Sequence, residues 1–232
     1  MPTFTPIGGW MAFQHLDHGH PLDHAFTLAY KMTDDPAEMW SGRFVRFKDK
    51  DQKALYGAAK VLKPAMTGLF ASLKLNAAHT VIVPALSSVE KLADPNRHVP
   101  RLATAVSKEL SCAVNMTAVS KDPHPSLHKV PAAERIATLE KANYTAQAID
   151  ADVVVVLDDF ITQGATLGIT ARQLKAANPK LTVLGVALGK TERRAYWADR
   201  GIVLSNQHVP GDWDGLWAQG EAFYDNKVKT GS

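Results

Sequence analysis

The amino-acid sequence predicts an α/β protein: a Rossmann-like parallel sheet with a small β appendage at its N-terminus. Three observations lead there. Residues 153–157, four valines and a leucine, form an apolar run without alternation, the pattern of a strand buried on both faces of a parallel sheet. From Leu55 onward, short apolar runs alternate with segments of helical periodicity, as parallel strands and their crossover helices do. Two carboxylates, Asp158 and Asp159, end the apolar run, and ligands of such sheets bind beyond the carboxyl ends of the strands.

Taken in order, residues 1–50 break short apolar pieces with Gly8, Gly9, Gly19, Pro21, Pro36 and Gly42, and 10–13, 26–32 and 43–47 are expected as strands of the appendage. Leu55, Ala59, Leu62, Met66, Leu69 and Leu73 step by four and three along one face of an amphipathic helix. Pro64 lies in that stripe. It lacks an amide donor and crowds the preceding turn, so a kink or two shorter helices are expected. A strand follows at 80–83, a helix at 101–110, a strand at 113–119, a Pro- and His-rich loop at 121–129 and a helix at 132–141. The central strand at 153–157 leads to a helix at 165–177, stopped by Asn178 and Pro179. A strand at 181–188, a short helix at 192–198 and a strand at 202–204 complete the set. Residues 51–205 are thus expected as the main domain and 206–232 as a C-terminal extension or hood.

The corner after residue 157 carries the chemistry. Gly164 allows a tight turn and close approach to a ligand. The amides of Gln163, Gly164, Ala165 and Thr166 would be free donors at a helix start, where the dipole favours an anion, and the hydroxyls of Thr162 and Thr166 can donate too. Asp158 and Asp159 would repel that anion. As acceptors they suit the two hydroxyls of a ribose diol, or a Mg²⁺ ion beside a phosphate. A plainer account has the same Asp and Thr residues capping a helix after an ordinary turn. No Walker-type glycine-lysine loop follows any strand.

The string from Asp158 through Thr166 resembles the PRPP (5-phosphoribosyl 1-pyrophosphate) loop of the type I phosphoribosyltransferases, and the chain most resembles their ComF-like branch. Residues 81–88, with Ala85, Leu86, Ser87 and Ser88, are similar to that family's strand and pyrophosphate loop. Asn96, Arg97 and His98 resemble its Arg-rich approach to the next helix. Residues 125–135, ending in Glu134 and Arg135, resemble its flexible loop. The resemblance covers roughly residues 43–192. It implies Mg²⁺-bound PRPP with its diol on the catalytic pair Asp158 and Asp159 and its 5′-phosphate on Thr162, Gln163, Gly164, Ala165 and Thr166. Pyrophosphate would lie on residues 85–88, aided by Lys91, and the loop 121–135 would close over the site. Lys190 and Arg135 are further candidates for substrate contact. Phosphoribosyl transfer to a nitrogen nucleophile in nucleotide metabolism would follow. The alternative is a non-catalytic module that senses PRPP or a nucleotide and acts with a protein partner in DNA uptake or processing. A third option is a scaffold that keeps the fold without the ligand. Three departures stand out: Gln163 where a second Thr is common, Leu127 where a Gln is common, and a single cysteine, Cys112, so that the branch's N-terminal Cys-based zinc hook is missing.

Other features bound the reading. A net charge of +3 with no dense basic run does not argue for nucleic acid. One cysteine excludes an internal disulfide framework. No signal peptide and no membrane-length apolar stretch is recognisable, so a soluble cytoplasmic protein is expected, with monomer and homodimer both open. His15, His18, His20 and His24, with Asp17 and Asp23, form a cluster that matches no zinc spacing; metal binding and turn formation both stay open. Trp213 and Trp217, four apart, fit helix packing better than base stacking.

Overall fold

Nine strands appear in the computed structural model, which describes residues 4–13 and 22–230. They are β1 (Thr5–Ile7), β2 (Trp10–Phe13), β3 (His24–Met32), β4 (Thr80–Pro84), β5 (Ala113–Val114), β6 (Val119–Ser120), β7 (Thr145–Ala146), β8 (Val153–Ile161) and β9 (Thr182–Glu192). Seven of them make one sheet in the order β1-β2-β3-β9-β8-β4-β5, while β6 and β7 pair separately. From β3 to β5 every pairing is parallel, and β1 and β2 add an antiparallel edge. The result is an α/β architecture compatible with a Rossmann-like fold.

Seven helices cover the sheet: α1 (Met39–Lys48), α2 (Gln52–Leu73), α3 (His98–Leu110), α4 (Arg135–Glu140), α5 (Ala165–Ala177), α6 (Arg194–Ala198) and α7 (Asp212–Thr230). On one face Trp40, Phe44, Val61, Leu62, Leu102 and Trp217 pack on Phe26, Leu28, Val155 and Leu157. On the other, Leu167, Ala171, Leu174 and Leu139 pack on Val154, Val156 and Val183. Residues 154–157 of the apolar run are fully enclosed and Val153 is half-buried, as the lack of alternation implies.

Five expectations change. The N-terminal strands are not an appendage, because β3 is an interior strand of the main sheet, paired along its length with β9. Residues 43–47 are helical. Trp40, Phe44 and Phe47, three and four apart, bury one stripe of α1, and the Glu38 carboxylate accepts from the amides of Trp40 and Ser41 at its start. Residues 113–119 are not one strand; β5 and β6 belong to different ladders, and 202–204 form no strand. Pro64 does not divide α2, which runs as one helix with Val61, Leu62, Ala65, Met66 and Leu69 buried around it and the Trp10 indole donating to the Ala65 carbonyl at 2.9 Å.

The C-terminal helix belongs to the core. α7 lies on α2 so closely that a Cβ on Gly57 would meet the Trp217 ring at 2.6 Å. Trp213 and Trp217 are buried against Trp10, Trp40 and Phe44, and Asp214 pairs with Arg43 at 2.8 Å. No helix among the described residues is long and apolar enough to cross a membrane.

Candidate functional site

The site arises where β4 stops and β8 does not. Pro84 is the last residue of β4 and pairs with Leu157, while β8 continues to Ile161 against β9 alone. Asp158, Asp159 and Phe160 therefore stand on an open step. From β4 the chain leaves through α3 on one face; from β8 it leaves through α5 on the other. Such a divergence opens a crevice above the strand ends.

Side-chain alternation slips by one place at this step. Val155 and Leu157 face the core under α2, and so does Phe160, which is edge-on to Phe44 and Phe47. In β3 the same slip falls between Leu28 and Tyr30. Cross-strand pairing passes over Leu28, Leu188 and Asp159 in the same row. The amides of Asp159 and Phe160 turn instead to the carboxylates of Asp158 and Asp159, at 2.8 and 2.7 Å. The two acids stay in side-chain contact with each other, while the Asp158 charge also acts on Tyr144 and the Asp159 charge on Lys31. Burial raises the pKa of Asp158 well above the usual carboxylate range, and the negative charge of Asp159 raises it further.

Beyond the acids the chain turns at Gly164, whose φ of 78° is left-handed and suits glycine, and α5 begins without a side-chain cap. No protein acceptor among the described residues meets the amides of Gln163, Gly164, Ala165 or Thr166, and these residues and Thr162 line the crevice. Lys190 fixes this loop from behind. Its ammonium, 5 % exposed, donates to the Thr162 carbonyl at 2.6 Å and pairs with Glu192. It anchors the loop and does not line the crevice.

Ala85, Leu86, Ser87 and Ser88 face the same crevice across the step, but this second loop is already engaged. The Ala85 amide donates to the Leu157 carbonyl, and the Ser87 amide donates to the Glu90 carboxylate at 2.7 Å. Arg97 donates to the Ser87 hydroxyl at 2.6 Å and lies 3.5 Å from Glu90. The Ser88 carbonyl accepts from the His124 amide and from the buried Lys121 ammonium, whose pKa burial pushes down to about 8. Arg135 also lines the crevice and donates to the Val130 carbonyl, whereas Lys91 does not reach it.

These loops enclose about 760 Å³, enough for a nucleotide-sized ligand. The structure brings Asp158, Asp159, residues 162–166 and residues 85–88 together at one crevice. Lys31, Glu90 and Phe160 line it as well and were not expected from the sequence. A lysine inside the apolar run of β3 is the signal that could have flagged Lys31. No crevice-lining residue comes from 206–230, so the hood expected there is not found among the described residues. Of the His/Asp cluster, His15, Asp17, His18 and His20 lie outside the described residues. Asp23 pairs with Lys175 and accepts from the Val183 amide. Among the described residues no group of three or more His, Cys, Asp or Glu side chains could hold a metal ion. The sequence matches no known protein-family model and no curated protein.

Proposed function

We propose that this protein binds a ribose 5-phosphate moiety as Mg²⁺–PRPP and transfers the phosphoribosyl group to a nitrogen nucleophile, in the manner of type I phosphoribosyltransferases. One observation carries the reading: an open acidic step and a left-handed glycine turn, with four amides that meet no acceptor among the described residues, share one crevice. The amides and the α5 dipole suit a phosphate, and the acids suit the diol one step back. In the reaction a nitrogen lone pair forms the bond to C1′ while the C1′–oxygen bond breaks, its electron pair leaving with pyrophosphate. The protein's contribution is positioning and charge stabilisation.

Mg²⁺ fits the donor set. Two carboxylates at one opening, the inner with a raised pKa, suit a hard cation that takes one or two protein carboxylates and completes its shell with substrate oxygens. Asp158 and Asp159 would hold it, and the ion would neutralise phosphate charge.

A second reading is favoured by Glu90. With the Ser87 amide occupied, the crevice suits a sensor of ribose 5-phosphate or a nucleotide that acts through a protein partner, DNA handling among the possibilities. Calorimetric titration with Mg²⁺–PRPP, followed by a pyrophosphate-release assay over a panel of bases, separates the two. Binding with release supports the enzyme, binding alone the sensor, and no binding overturns both.

A further inference from the structure

One end of the crevice holds a charge that phosphate and diol leave unused. Lys31, near the end of β3, is 9 % exposed, and its ammonium stands 5.3 Å from the centre of the Phe160 ring. Among the described residues no hydrogen bond or ion pair engages that ammonium. Its burial and the nearby Lys48 ammonium lower its pKa, while Asp159 and Asp49 act in the opposite sense without coming within ion-pair distance. Lys48, the last residue of α1, and Lys50, just beyond it, line the same crevice, and neither is ion-paired among the described residues. Phe160 and Phe47 supply aromatic walls there.

A buried cation with only an aromatic face beside it is costly, and an arriving anion removes the cost. The two phosphate loops follow β8 and β4, but Lys31 comes from β3, on the other side of Asp159. We propose that this end of the crevice is the acceptor subsite and takes a planar ring bearing a carboxylate, the ring against Phe160 and Phe47 and the carboxylate on Lys31. The flat apolar walls suit a ring better than a hydrated phosphate. Lys48 and Lys50 add long-range attraction for the same anion. The inference rests on the phosphoribosyl reading, because Asp159 then sets the sugar beside the ring.

The test compares benzoate with its neutral isostere benzamide by ligand-observed NMR, on the full chain with Mg²⁺ and saturating ribose 5-phosphate. Benzoate is expected to bind at least about 10-fold tighter, the size of a charge-assisted hydrogen bond. Lys31→Met should bring the two within about 2-fold, and the exposed Lys48→Ala should narrow the gap by about 3-fold while leaving the fold untouched. Equal binding in the native protein, or a preference unchanged in both variants, overturns the subsite. Titration with ribose 5-phosphate alone keeps the two ideas apart. Ribose 5-phosphate binding without a benzoate preference removes the subsite only; a benzoate preference without ribose 5-phosphate binding removes the phosphoribosyl reading and leaves an anion site at Lys31.

Discussion

The Glu90 carboxylate lies 2.7 Å from the Ser87 amide, so the loop after β4 already holds an anion of the protein's own. Arg97 bridges the Ser87 hydroxyl and the same carboxylate. A diphosphate entering this loop has to displace Glu90 and take over Arg97. Glu90→Gln keeps an acceptor for the amide but removes the charge. It is expected to raise PRPP affinity by about 10-fold at low salt and less at high salt, in line with one charge–charge repulsion in a partly buried site. Ribose 5-phosphate affinity should stay within about 2-fold, because on the proposed reading that phosphate would sit across the step. Parallel titrations of both ligands check this, and an unchanged PRPP affinity would mean that Glu90 is no competitor.

Gly164 sets the shape of the first loop. At φ 78° a Cβ is strained, and Gly164→Ala is expected to cost about 1–2 kcal/mol of stability. For a chain of this length that lowers Tm by roughly 2–8 °C. A larger effect is expected on binding. If the turn relaxes to negative φ, the amides of Ala165 and Thr166 no longer converge, and ribose 5-phosphate affinity should fall by at least about 10-fold. Calorimetry beside a thermal melt separates the two losses.

The contrast between β8 and β3 shows what a sequence carries. Residues 153–166 are readable because their constraints are local: an unbroken valine run has one environment, and a left-handed turn wants glycine. β3 has an equally apolar pattern, yet nothing within it says whether it lies at an edge or inside. That depends on His24 meeting Leu184, a pairing between distant parts of the chain. The same gap hides Lys31, whose burial exists only once α1 and β9 cover it. Residues 43–47 mislead for a different reason. Their Phe and Val residues favour strands, and only Trp40 and the unusual Glu38 cap reveal the helical stripe. Glu90 could not be assigned because its partner is a backbone amide.

Lys121 offers a test through pH. In the folded chain its ammonium gives up its proton near pH 8, against the ordinary lysine value of 10.5. Between those values the unfolded chain binds more protons, so this group makes stability rise with pH across the window and contributes its largest penalty below pH 8. Relative to Lys121→Met, the native protein should gain on the order of 1–2 kcal/mol between pH 7 and pH 9.5. Urea unfolding of both proteins at the two pH values measures it. A constant difference would show that the ammonium is not held in a low-dielectric site beside Ser88.

Asp158 shows the opposite sign. Its folded pKa is raised by burial and by Asp159, so the folded chain binds more protons above the ordinary carboxylate value. Stability from this group is full in acid and is lost as pH rises through the raised value. Asp158→Asn removes the penalty, and the variant should melt at a higher temperature than the native protein at pH 7, with the advantage vanishing near pH 3–4. On the proposed reading, the gain in stability should come at the expense of binding. Asp158→Asn with Asp159→Asn should weaken ribose 5-phosphate by about 100-fold, since two charge-assisted acceptors for the diol are gone. Mg²⁺ adds a third readout. It should raise the native Tm at pH 7 by relieving the repulsion between the acids, and leave the double variant unmoved. A double variant that still binds the sugar phosphate at native affinity would detach the acids from the ligand and reduce the step at Leu157 to a feature of the fold.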